Sequence, residues 1–215
     1  MRYPGAIWKP ITASKGRKAL TVHNRVNLHV AVSEGSSLHS YFNRTGIPDS
    51  HFYVRRDGTV AQYVDTSMRA FADLEGNDAT ISIETQGMGG GGWDPAQREA
   101  LAQLYAWAVK THSIAVKMAS SSKPGDSSKG LSWHRLGCDG NFPALPSILA
   151  GRGQRGGCMH YSTSLGKVCP GDGRIVQIPS IFARAQEILG GAPVPEEGPF
   201  MALSDSEQND LLAKV

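Results

Sequence analysis

The sequence predicts an α/β domain in which a central mixed β-sheet is flanked by helices. Short runs rich in β-branched and aromatic residues recur around Val26, Phe52, Val60 and Ile83, spaced as strands are. Two later stretches, 95–112 and 178–189, read as helices, the first with Leu101, Leu104, Tyr105, Ala108 and Val109 on one stripe. At 215 residues the chain is long enough for one domain with a full core plus a tail, and too short for two sizeable domains.

Composition narrows the class. A hydrophobic share of 40% with 25 glycines describes a loop-rich globular protein, and no apolar run approaches the ~20 residues a membrane span needs. The charge of +3 and pI near 8.8 are mildly basic, with lysines and arginines scattered, so neither a nucleic-acid footprint nor membrane insertion is indicated. Met1 to Pro10 holds two prolines and no apolar signal region, so synthesis in a cytoplasm without a signal peptide is expected. Three cysteines cannot all pair within one chain, and reduced thiols are expected, with a Cys138–Cys158 pairing left open.

Along the chain, residues 1–19 alternate Pro, Gly and Lys with few apolar anchors and read as an extended arm. The main domain is expected over 20–191. Val26, Leu28, Val30 and Val32 alternate with Asn27, His29 and Ala31, which predicts a strand with an apolar face and a polar face carrying His29. A short helix follows with Leu38, Tyr41 and Phe42 at helical spacing, ended by Gly46 and Pro48. His51 to Val64 predicts a hairpin with a tight primed turn at Asp57-Gly58. Thr80 to Gln86 is a further strand, with Ile81 and Ile83 on one face and Ser82, Glu84 and Gln86 on the other.

Gly87 to Gly92 reads as a flexible loop. It lacks the Lys-Ser/Thr of a phosphate cradle. Asp94, Pro95 and Gln97 then form a helix start with an acceptor at the cap, proline at the first helical position and Gln three residues on. Residues 119–130 are a polar loop leading to Trp133-His134, and 138–166 are a Gly-, Pro- and Ser-rich excursion of a length that is often functional. After the last helix, 192–203 is a stiff Pro-rich linker, and Ser204 to Glu207 is a capping box opening a helix at 204–215, the start of a further module or of an oligomerisation helix.

The chemistry centres on Ser164 to Gly173, where Cys169 stands between Lys167 and a Pro-Gly turn. With His29 and His134 it would make a His2Cys zinc set with a fourth position open for water, the ligand count of a catalytic site. Such zinc suits amide hydrolysis, which also needs a carboxylate to move the proton and a donor for the oxyanion. Glu84 and Lys167 are the candidates. Bland readings stand beside these: His29 as a core histidine, Glu84 as an exposed strand carboxylate, and His23 as a substitute ligand. His51 is expected to hydrogen-bond beside the site, His39 and His112 to be solvated, and Trp133, Trp107 and Tyr105 to be core.

Val26 to Glu34, the Ser50 to Val60 hairpin, Ile81 to Glu84, Trp133-His134 and Lys167 to Gly171 together resemble the zinc-dependent N-acetylmuramoyl-L-alanine amidases of phage endolysins, which share a fold with peptidoglycan-recognition proteins. The Ser-His-Phe of the hairpin and the long segment before Lys-x-Cys are similar to lysins of phages infecting actinobacteria. The resemblance implies Zn2+ on His29, His134 and Cys169, Glu84 as acid/base, Lys167 near the transition state, and bacterial peptidoglycan as the partner. Ser50 stands where many members carry tyrosine, which shifts weight to Glu84. The long gap between His134 and Cys169 leaves open a part for His160, Cys138 or Cys158 at the metal. Two rivals are a non-catalytic peptidoglycan receptor on the same fold and a structural protein whose Cys and His staple loops.

Overall fold

The computed structural model describes residues 1–122, 125–136 and 169–190. Six strands form one sheet: β1 (Ala6–Trp8), β2 (Arg25–Leu28), β3 (Phe52–Val54), β4 (Val60–Gln62), β5 (Thr80–Thr85) and β6 (Gly130–Trp133). Their spatial order is β1-β4-β3-β5-β2-β6. β3, β5, β2 and β6 run parallel, β4 is antiparallel to β3, and β1 is parallel to β4. The helices are α1 (His39–Phe42), α2 (Pro95–His112), α3 (Asp172–Ile175) and α4 (Ile178–Ile188). This is the mixed sheet with flanking helices that the sequence predicts, enlarged by an edge strand at each side.

The N-terminal stretch is extended, yet Ala6–Trp8 is a strand and not merely an overlay. Tyr3 anchors it, packing edge-on against Phe52 and Trp107. Further along, Lys15 and Arg17 both reach the buried carboxylate of Asp49, at 2.7 and 2.5 Å, and Asp49 also accepts from the Phe71 N–H. A carboxylate buried with two cations and a backbone donor has the partners that make such burial tolerable.

The β3–β4 hairpin forms where expected but turns differently. Gly58 N–H donates to Arg55 O at 3.0 Å and Arg55 N–H to Thr59 O at 2.9 Å, enclosing a three-residue loop. A primed turn needs positive φ at its first central residue, and here Gly58, at φ 81°, has positive φ while Asp57 does not. The arrangement is the three-residue loop whose last position needs the left-handed region, which glycine enters without a Cβ clash. The start of α2 is as the sequence predicts: Asp94 and Gln97 form a capping box around Pro95.

Alternation along the strands divides the interior. Val26, Leu28, Phe52, Val54, Ile81, Ile83, Leu131 and Trp133 join the core with Leu101, Leu104 and Tyr105 of α2 and Ile178, Ile181 and Phe182 of α4. On the opposite face Tyr53 packs with Phe42, Tyr63, Val64 and Ala70 in a smaller cluster. Beside it lies a buried polar row, Asn27, Ser82 and Ser132, on three adjacent strands. Trp133 and Tyr105 are core as expected, and Trp107 is partly buried against it. His112 is not simply solvated: its ring stacks on that of His23 at 3.9 Å, and its Nε2 lies 2.9 Å from Thr66 Oγ1. His39 is half-buried, with Nε2 3.0 Å from Pro10 O.

His51 is buried with a fixed tautomer. Ser82 N–H donates to its Nδ1 at 3.1 Å, so Nε2 carries the proton given to Met68 O at 2.9 Å. Burial pushes its pKa down to about 4, and burial with the neighbouring His23 charge does the same for His112. A folded-state pKa below the unfolded value of about 6.5 gives stability that is complete above pH 6.5 and lost as pH falls toward 4. The lowered carboxylates, such as Asp65 and Glu99, titrate below pH 4.5 in either state and leave the upper part of that window clear. Urea unfolding should therefore show stability dropping between pH 6.5 and 5, with the His51 share reaching roughly 3 kcal/mol by pH 4. His51→Gln should flatten that slope; an unchanged slope would contradict the assignment.

Candidate metal centre

Leu28 of β2 pairs with Ile83 of β5 on one side and Trp133 of β6 on the other. The next residue on each strand is His29, Glu84 and His134. The ladder persists there, with His29 N–H donating to Ile83 O at 2.9 Å and His134 N–H to Leu28 O at 3.1 Å. Because side chains alternate, the three project together from the face opposite Leu28, Ile83 and Trp133. They also lie at the carboxyl ends of parallel strands, where open α/β sheets form their binding crevices. The polar loop 119–130 leads to His134, and His134 itself sits on the extension of edge strand β6.

Cys169 arrives from outside the sheet. Its Sγ accepts the Val30 N–H at 3.3 Å, one residue beyond His29. The segment behind it is seated on the glycine run: a Cβ at Gly171, where φ is 101°, would stand 2.6 Å from Gly89 O. Arg174 Nη1 reaches Pro170 O at 3.3 Å and Gly90 O at 3.4 Å. The run expected to be a flexible loop thus supplies the bare backbone on which the cysteine turn packs.

His29, His134 and Cys169 each direct one donor atom inward, and the three atoms lie within 4.8 Å of one another. The two imidazoles are 4.4 Å apart, ring centre to ring centre. Tetrahedral zinc with Zn–N of about 2.0–2.1 Å and Zn–S of about 2.3 Å holds its ligands roughly 3.3–3.6 Å apart. The observed triangle therefore fits after a contraction of about an ångström, and two imidazoles with a thiol are a donor set zinc favours.

His29 Nε2 lies 3.0 Å from Asp73 Oδ1, which leaves Nδ1 facing Glu84 Oε1 at 3.9 Å. Burial opposes charge on this ring, but Asp73, the Cys169 sulfur and Glu84 outweigh it and raise its pKa well above 6.5. Burial would favour a protonated Asp73; the His29 charge overrides it and holds the carboxyl low. Asp73 is itself fixed, its Oδ1 taking the Asn27 amide at 2.5 Å and its N–H donating to Asn77 Oδ1 at 2.7 Å. Nothing local in Phe71-Ala72-Asp73-Leu74 marks Asp73 in the sequence, because its partner lies 44 positions away (73 − 29).

Among the remaining candidates, Glu84 stands beside the cluster with 18% of its side chain exposed. Lys167, Cys138, Cys158 and His160 lie outside the described residues. His23 is not among the convergent donors, being stacked on His112 with Nε2 2.7 Å from Thr66 O. His51 hydrogen-bonds beneath the site as expected, and Ser50 Oγ donates to Ser82 O at 2.7 Å.

A family model described as N-acetylmuramoyl-L-alanine amidase matches residues 16–172. Among solved structures, the N-acetylmuramoyl-L-alanine amidase LysC from Clostridium intestinale superposes with a TM-score of 0.57 at 15% identity, covering 88% of this chain and 99% of LysC. The Staphylococcus aureus hydrolase AmiA gives 0.52 at 11% identity, covering 90% of each chain. At these identities the likeness is one of fold. No curated protein matches the sequence.

A carboxylate on the far nitrogen of a ligating histidine sets its tautomer and orientation, and removing one commonly costs 10–100-fold in metal affinity. Asp73→Asn should therefore release zinc at roughly 10-fold lower chelator concentration or less, read by competition with a chromophoric chelator. Retention equal to wild type would show that the contact does not orient His29.

Proposed function

Because the chain belongs to the N-acetylmuramoyl-L-alanine amidase family, we propose that it hydrolyses the amide joining the lactyl group of N-acetylmuramic acid to L-alanine of the peptidoglycan stem peptide. The observation that carries this reading is the convergence of His29, His134 and Cys169 within 4.8 Å beside Glu84. These three residues would hold zinc, which when bound activates water and polarises the amide carbonyl.

Glu84 serves as the acid/base. It accepts the proton that the attacking water loses and returns it to the leaving nitrogen of L-alanine. A carboxylate at the strand end, partly open to solvent and 3.9 Å from the ligand His29, is suited to that exchange. Lys167, two residues before Cys169, is assigned by the sequence resemblance to steady the oxyanion. Ser50 donates into the backbone of β5 and has no phenol to contribute, so the proton work falls to Glu84. The biological role we assign is that of a phage lysin acting on the host cell wall. A cysteine among the three donors favours hydrolysis over the receptor reading, since a free cysteine and two imidazoles make a complete catalytic ligand set.

Glu84→Gln should keep its zinc and its fold while losing roughly 10²–10⁴-fold in turnover, the usual share of a general acid/base. The measurement is the appearance of new L-alanine amino termini in purified wall, with muropeptide masses fixing the bond cut. Undiminished release by the variant would remove Glu84 from the mechanism. Products bearing any other new terminus from the wild-type protein would overturn the amidase reading.

A further inference from the structure

We propose that the buried ion pair between Arg135 and Asp172 is a positioning device for the metal centre, locking the segment that carries His134 to the segment that carries Cys169. The inference rests on the reading of His29, His134 and Cys169 as zinc ligands and adds residues which that reading leaves without a part.

Arg135 directly follows His134, and Asp172 comes three residues after Cys169. Arg135 Nη1 donates to Asp172 Oδ1, with the arginine side chain fully buried and the aspartate 7% exposed. The two ligands are 35 positions apart in sequence (169 − 134), and the pair joins the described chain on either side of 137–168. His29 and His134 are held by strand hydrogen bonds on adjacent strands. Among the described residues Cys169 joins no strand ladder: its Sγ meets the Val30 N–H at 3.3 Å and Val30 O at 3.9 Å, and the turn that follows it packs on Gly89.

Apolar packing would bury this region without fixing its direction. A guanidinium and a carboxylate bond along defined vectors, so Asp172 can meet Arg135 in few relative placements of the two segments. Replacing a buried pair by apolar residues of similar volume is often neutral for stability, whereas breaking one partner strands a buried charge. Those two facts separate positioning from plain stabilisation.

The experiment uses the zinc-loaded full chain in four forms: wild type, Asp172→Asn, the double variant Arg135→Met/Asp172→Leu, and His29→Ala. Folding is followed by thermal melting, zinc affinity by chelator competition, and ligand geometry by the thiolate-to-cobalt charge-transfer band after cobalt exchange. The double variant should melt close to wild type yet hold zinc roughly 10–100-fold more weakly, with a diminished thiolate band. Asp172→Asn should lose both melting temperature and affinity. A folded double variant with wild-type zinc affinity and cobalt spectrum overturns the proposal. So does a double variant that cannot fold, because the pair would then be a requirement of the core. If His29→Ala binds zinc as tightly as wild type, the zinc reading fails first and takes the inference with it, a pattern distinct from either result above.

Discussion

Register between three parallel strands is the constraint on which the rest depends. Leu28, Ile83 and Trp133 form one row of β5-β2-β6, and burying that row against α2 and α4 fixes which residues come next. In a strand the side-chain period is two, so a slip of one residue would turn His29 into the apolar layer and bring a neighbouring aliphatic side chain to the site. Core packing and site geometry are thus one choice. The apolar residues that make the sheet cohere also deliver two imidazoles and a carboxylate to one end of it.

A second layer of order lies beneath that row. Ser132 Oγ donates to Asn27 Oδ1 at 2.7 Å, the Asn27 amide donates to Asp73, and Asp73 meets Nε2 of His29. Each residue in this chain reaches the next by a hydrogen bond, the last two through Asp73 Oδ1, while Asp73 Oδ2 takes none among the described residues. The chain also has a direction: it ends by occupying one nitrogen of His29 and leaving the other to the open side. Lys15 and Arg17 extend the same logic to the N-terminal segment, since their partner Asp49 also holds the backbone at Phe71, two residues before Asp73.

Much of this was legible in the sequence where the signal is local. The β3–β4 hairpin, the capping box of α2, the alternation in β5 and the helix of α4 each declare themselves within a few residues. The separated motifs also single out His29, His134 and Cys169, whose donor atoms the fold brings within 4.8 Å of one another. What local sequence does not mark is non-local. β1 and β6 are three- and four-residue edge strands whose parallel partners lie far away in sequence, so neither carries a pattern long enough to read. The hairpin turn departs from expectation because Asp-Gly suits both a primed turn and the last two positions of a three-residue loop; only the pairing register decides. Asp73, Arg135 and Asp172 are charged residues whose burial is set entirely by tertiary partners.

Exposure orders the roles within the cluster. His29 is 1% exposed and backed by Asp73, and its Nδ1 faces Glu84 Oε1 at 3.9 Å. His134 is slightly more open, Cys169 is partly exposed, and Glu84 shows the most of the polar groups projecting from the strand ends. The gradient runs from the back of the sheet to its mouth. In the proposed reaction a substrate amide approaching from solvent would meet Glu84 before His29, and a proton passed between water and a leaving nitrogen would travel at the more exposed end. The dry end has the opposite suitability: low dielectric and fixed hydrogen bonds hold a ligand still but exchange protons poorly. In the proposed reading, ligation falls at the back and acid/base work at the front, an order that matches which residues the fold buries.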